Sequence, residues 1–283
     1  MKITKIIVTS IIIVGIIAST SLFIFESNFL QNSINEKVEL IEWSSGKLFN
    51  ILVDPDDLII VEGKTIPLKA TFELKEELNQ IYEKIGFFDG EKKPLFIIPT
   101  FTASAYSKNG FYDFYNGNCN EQCLTTKIIT ENDVDYNSSA NAVKILQLLG
   151  YDSISDLELH QNPSILKNYD KIIVLHNEYV SKIMFDAITA HKNVVFLYPN
   201  SLYGEIELDD SNNKITLIRG HGYPSSDINN GFNWENENTD PYEFDNECIN
   251  WEFYPISNGY MLNCYPEQII WKNELLLKNL KDL

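Results

Sequence analysis

The sequence predicts an α/β protein: a parallel sheet with flanking helices, preceded by a transmembrane helix and a small strand-rich segment. Three observations carry this expectation. Short apolar runs at Leu95–Ile98, Lys171–Leu175 and Asn193–Leu197 have the composition of strands buried on both faces. Ser181 to His191, with Ile183, Met184, Ala187 and Ile188 at helical spacing, joins the last two runs as a crossover helix. Near the N-terminus, Ile6 to Phe25 is an apolar run free of Asp, Glu, Lys and Arg.

That first run is long enough, at about 1.5 Å per residue, to cover a hydrocarbon core of roughly 30 Å. Lys2 and Lys5 precede it and Glu26 follows, which orients a helix there with its N-terminus in the cytoplasm. The reading is therefore a single-pass cell-membrane protein, anchored through residues 6–25, with its C-terminal domain outside the cytoplasm. A cleaved signal peptide is the rival reading. Its apolar region is usually about 7–15 residues, and Ala18-Ser19-Thr20 is a poor cleavage site. No Cys near the end of the run suggests a lipoprotein.

Residues 26–92 read as a small strand-rich segment. Val38 to Trp43, Leu48 to Val53 and Leu58 to Val61 are strand-like and separated by turn residues, and Lys75 to Ile85 carries Leu78, Ile81 and Ile85 at helical spacing. Residues 93–283 read as the main α/β domain. After the first buried strand comes a long loop rich in Tyr, Phe, Gly and Asn. Ser138 or Ser139 can cap a helix that runs to Leu149 and stops at Gly150. Beyond the crossover unit, Gly204 to Leu208 and Lys214 to Ile218 form a hairpin, and a helix from about Pro266 to Leu280 closes the chain.

The four cysteines, in an extracytoplasmic setting, favour disulfides. Cys248 and Cys264 fall almost opposite each other across a hairpin centred near Ser257, leaving Cys119 and Cys123 to close a tight loop. A zinc site built from all four is the alternative, and the absence of paired C-x2-C spacing counts against it. Asn137-Ser138-Ser139 is a glycosylation sequon. The net charge of −18 repels polynucleotides, so nucleic-acid partners are excluded.

Open parallel sheets bind ligands at the carboxyl ends of their strands. Two strand ends that should lie side by side carry His176, Asn177, Glu178 and Tyr179 on one and Asn200 and Tyr203 on the other. His176 and Glu178 are candidate catalytic groups, and Tyr179 is a phenolate ligand or hydrogen-bond donor. The competing reading makes Asn177 and Glu178 a helix cap and Tyr179 a packing residue. Arg219-Gly-His221-Gly holds the only arginine in the chain beside a histidine between two glycines. Arg219, His221 and Asn200 are the candidate substrate-binding groups. No nucleophile elbow, phosphate loop, dinucleotide fingerprint or H-E-x-x-H helix is present, and no Cys or Ser stands in the 176–179 turn.

The segment from Tyr169 through His176-Asn-Glu178-Tyr179, then a helix, then Asn193 to Tyr203, resembles the C-terminal, glutamine-amidotransferase-like domain of the N,N-dimethylformamidase large-subunit family. His176, Glu178 and Tyr179 match its H-x-E-Y motif, and Asn200 and Tyr203 its N-x-x-Y. Val180 and Ala190-His191-Lys192 depart from the pattern. The resemblance implies a flavodoxin-like, class I glutamine-amidotransferase-like sheet and amide hydrolysis with a mononuclear iron bound by tyrosine phenolates and a glutamate. Tyr179 and Tyr203 are carried over as metal ligands, with Glu267 and Glu252 as candidates for the carboxylate. The resulting expectation is an amidohydrolase-like domain acting on a small C–N substrate. The alternative is a non-catalytic domain on the same fold, binding a small-molecule or cell-envelope ligand.

Overall fold

The computed structural model describes residues 39–61, 64–67, 69–88, 90, 92–234 and 244–283. Residues 41–283 form one compact unit. Its first strands make an antiparallel sheet in the order β1 (Ile41–Ser45), β2 (Phe49–Val53), β5 (Thr71–Leu74), and β3 (Leu58–Val61) pairs with β4 (Lys64–Pro67) as a separate hairpin. A helix, α1 (Asn79–Ile85), leads from there to the central sheet.

Six strands build that central sheet. They are β6 (Leu95–Ile98), β8 (Asp152–Ser155), β9 (Ile172–Val174), β11 (Val194–Phe196), β14 (Phe253–Ile256) and β15 (Gly259–Leu262), in the spatial order β14-β15-β11-β9-β6-β8. Five of them run parallel, and only the edge strand β14 is antiparallel to its neighbour. Alternation along each strand sorts the side chains between two cores. Phe96, Ile98, Ile173, Leu175, Val195 and Leu197 face one side, packed with β2, α1, α4 (Ala140–Leu148) and α7 (Glu274–Asp282). Leu95, Ile97, Ile172, Val174, Val194 and Phe196 face the other, with α2 (Thr100–Tyr106), α5 (Asp156–Gln161) and α6 (Lys182–Thr189). Each of these fully buried side chains contributes about 1.5–3 kcal/mol, so the three-residue core strands are set by two-sided burial rather than by length. The remaining short helix, α3 (Phe111–Tyr115), follows α2.

The expectation of a single flavodoxin-like parallel sheet is corrected. A further four-stranded sheet, in the order β10 (Tyr179–Ser181), β12 (Gly204–Asp209), β13 (Lys214–Arg219), β7 (Thr125–Lys127), stands beside the central one. The chain does not pass from the end of β9 directly into the crossover helix. Tyr179 and Val180, both fully buried, extend instead as β10 and pair in parallel with β12, Tyr179 opposite Gly204. Glycine is required there, since a Cβ on Gly204 would stand 2.5 Å from the Tyr179 ring.

The membrane expectation is corrected as well. No helix among the described residues is long and apolar enough to cross a membrane, and the run at 6–25, which carried the single-pass, extracytoplasmic reading, lies outside the described residues. The cysteines pair as Cys119–Cys123 and Cys248–Cys264, which leaves no thiolate for a zinc site. Ser139 departs from its expected capping role. It takes a left-handed conformation at the start of α4 and turns its hydroxyl to the His176 N–H.

The Cys248–Cys264 bridge closes a loop over 16 residues and ties β15 to the segment before β14. Replacing both cysteines with serine is expected to cost about 3 kcal/mol. Urea denaturation should show this as a lowered midpoint, and reductant should bring the unaltered protein down to the variant's midpoint or below.

Candidate functional site

Strand order places β8 on one side of β6 and β9 on the other, so the chain reverses direction across the sheet at β6. The carboxyl ends flanking such a point diverge and leave room for a site. Here they are tied together by buried side chains. Asp156, after β8, accepts from the Phe101 N–H at 2.8 Å and from the Asn177 side-chain amide at 2.7 Å. Burial raises the Asp156 carboxyl to about 7 despite those two donors. Thr102 Oγ1 accepts from the Glu178 N–H at 2.9 Å. On the opposite side, the Glu178 carbonyl accepts from the N–H groups of Tyr203 and Gly204, each at 2.8 Å. The Glu178 peptide is thereby gripped by α2 and by the start of β12, which fixes its side chain.

The Glu178 side chain has no exposed surface. Its Oε1 accepts from the Tyr112 hydroxyl at 3.0 Å and is also met by His221 Nε2. Its Oε2 lies 3.6 Å from His176 Nε2, and among the described residues neither of these atoms has a hydrogen-bond partner. Burial pushes the Glu178 carboxyl upward, but the His221 imidazole and the Tyr112 hydroxyl, both on Oε1, outweigh it and hold the group below its ordinary value. His176 is driven the other way, since burial lowers its pKa and keeps the ring neutral. Its Nδ1 sits 2.6 Å from the Asn137 carbonyl, an acceptor, so Nδ1 carries the proton and Nε2 presents a lone pair.

Tyrosines complete the enclosure. The Tyr106 hydroxyl donates to that of Tyr112 at 2.7 Å, and the two rings stack with centroids 3.8 Å apart. The Tyr179 hydroxyl, fully buried, lies toward those of Tyr112 and Tyr115 and has no hydrogen-bond partner among the described residues. Burial, then the charge on Glu178, raises Tyr106, Tyr112, Tyr115 and Tyr179 far above the ordinary phenol, so all four keep their protons.

Of the residues singled out in the sequence, His176, Glu178, Tyr179 and His221 meet at this centre. Tyr203 places its ring 4.4 Å from that of His221 but gives its hydroxyl to Asn229. Asn200 is buried, and its Oδ1 has no hydrogen-bond partner among the described residues. Arg219 forks onto the Gly231 carbonyl and Asn233 Oδ1, both at 2.7 Å, and so clamps the base of the 220–231 loop. Glu252 is exposed. Glu267 is fully buried on the far side of the stacked His176 and Tyr198 rings, accepting from the Asn141 N–H at 2.6 Å and from the Tyr198 hydroxyl at 2.5 Å. Sequence reasoning missed Tyr106, Tyr112 and Tyr115. The aromatic richness of their loop was the available signal.

No group of three or more His, Cys, Asp or Glu among the described residues is arranged to hold a metal ion. Phenol oxygens grouped round a buried carboxylate are a different donor set, one suited to a hard cation such as ferric iron. The arrangement defines an α/β protein with a buried, ionised carboxylate at the reversal point of its sheet. The family model for the N,N-dimethylformamidase beta subunit-like, C-terminal domain matches residues 80–243, more than half of the chain, and the chain belongs to that family. No curated protein matches it.

Burial also raises the Glu267 carboxyl, from 4.5 to about 8. The native protein thus keeps a proton that the unfolded chain loses near pH 4.5, and this contribution to stability is lost as pH rises towards 8. The expected loss is about 1 kcal/mol per pH unit in that window. Denaturation at stepped pH should show a shallower decline in Glu267→Gln than in the unaltered protein.

Proposed function

We propose that this protein is an amidohydrolase for small C–N substrates, with Glu178 at its centre and iron as its cofactor. The observation that supports this best is the pair of bare acceptors, Glu178 Oε2 and His176 Nε2, facing each other 3.6 Å apart in a buried site. Two buried acceptors without donors are costly to hold together, and a cation or a donor from substrate relieves the cost. Membership of the N,N-dimethylformamidase beta subunit-like family supports the amide-hydrolysing class.

Glu178 and Tyr112, with Tyr106 hydrogen-bonded behind Tyr112, are the residues that would hold the metal. Tyr179 lies against the same centre as a further phenol. Bound there, ferric iron would supply Lewis-acid polarisation of the amide carbonyl. His176 Nε2 takes the proton of the attacking water and returns it to the departing amine nitrogen. The hydrogen bond between its Nδ1 and Asn137 keeps the ring in the tautomer this requires. The Tyr179 hydroxyl donates to the oxygen on which charge develops. The tyrosine walls exclude bulk water and restrict the substrate to a small one.

Amine release from small formamides and acetamides by the purified chain tests this reading. Glu178→Gln should lower kcat/KM by about 10²–10³-fold, the order expected when a central electrostatic group is removed. Elemental analysis should find iron, with a visible phenolate-to-iron band that is lost in Tyr112→Phe. Turnover unchanged in Glu178→Gln, or a protein that takes up no iron, counts against it.

A further inference from the structure

We propose that His221 is an internal stand-in for the substrate. Its imidazole fills the seat of a small, planar, N–H-bearing group and must swing out before a ligand can reach Glu178. The inference rests on the reading of Glu178 as the centre of the site and deepens it.

Three features carry it. First, Glu178 is fully enclosed, and His221 covers its Oε1 with a side chain that is itself 22% exposed. The partner in that contact that faces solvent is therefore the histidine. Second, the His221 ring is surrounded by aromatic rings, with centroids at 4.4 Å for Tyr203, 5.7 Å for Tyr115 and Tyr179, and 6.4 Å for Tyr112. A carboxylate at the end of an aromatic-walled slot is a seat for a flat, electron-poor nitrogen group, which the tyrosine faces stabilise and the carboxylate binds through N–H.

Third, the backbone that delivers this ring takes an uncommon conformation. Gly220, His221 and Gly222 have φ of 128°, 52° and 75°, three positive values in succession. Histidine tolerates this left-handed conformation better than most residues, but it is uncommon outside glycine and is held here by the surrounding contacts. The His221 N–H is held by the Asn229 carbonyl at 2.9 Å and the Gly222 N–H by that of Ile228 at 2.7 Å, while Arg219 secures the loop's base. The strain is thus local to one residue between two glycines, and the ring can leave its seat while the loop's base stays clamped. A ring serving only to fill the core would gain little from partial exposure on a strained backbone.

The test is calorimetric titration of the chelator-treated full-length chain with imidazole, the group the seat already holds. In His221→Gly one imidazole should bind per chain, at least tenfold more tightly than in the unaltered protein, where the histidine competes. Adding Glu178→Gln to that variant should abolish the binding. Gly222→Ala gives a second reading without touching the seat, because a Cβ at φ 75° strains the closed loop while meeting no neighbour nearer than 3.8 Å. Its affinity for imidazole should rise several-fold. The proposal is overturned if folded His221→Gly binds no better than the unaltered protein, or if binding survives Glu178→Gln. Should His221→Gly fail to fold, an unchanged affinity in Gly222→Ala overturns it. Imidazole binding without any amide turnover would leave this inference standing and sink the proposed activity.

Discussion

An ionised carboxylate without solvent contact is the constraint around which the structure is arranged. Desolvating such a group costs several kcal/mol unless charges and donors replace the lost water. For Glu178 the replacements come from separate parts of the chain: Tyr112 from α3 and His221 from the loop after β13. Each must arrive within a few ångströms, so the ends of β6, β8 and β9 have to be locked to one another. Asp156, Asn177, Thr102 and Ser139 do this through buried hydrogen bonds to backbone and to each other.

The same requirement accounts for the second sheet. Had the chain entered the crossover helix directly after β9, Glu178 would lie on a helix start and Tyr179 would pack as an ordinary core residue. Extending as β10 instead, and pairing with β12, fixes Glu178 from both sides and turns the Tyr179 hydroxyl toward Tyr112 and Tyr115. The loop that closes the site, from Gly220 to Gly231, then follows β13 in that same sheet.

Much of the central sheet was legible in the sequence. Strands buried on both faces leave short apolar runs, and Leu95–Ile98, Ile172–Val174 and Val194–Phe196 carry that mark. The strand β10 was not legible, because Tyr179-Val180-Ser181 is too short for a pattern and its partner is distant in the chain. His176, Glu178 and Tyr179 stood out because four polar or titratable residues follow a buried strand. Tyr106, Tyr112 and Tyr115 did not: Pro99–Tyr106 leaves β6 on the same carboxyl edge, but nothing in the spacing reveals that α3 folds over the strand ends. Arg219, as a lone arginine beside a glycine turn, reads as a ligand contact. Only the position of Gly231 shows that it clamps a loop.

The most direct measurement is the titration of Glu178 itself, by infrared difference between the unaltered protein and Glu178→Gln. The Glu178 carboxylate is expected to stay ionised below pH 4.5, the ordinary value for the group. A carboxyl that takes up its proton at or above that pH would mean that His221 and Tyr112 do not sustain a buried charge, and would contradict this reading.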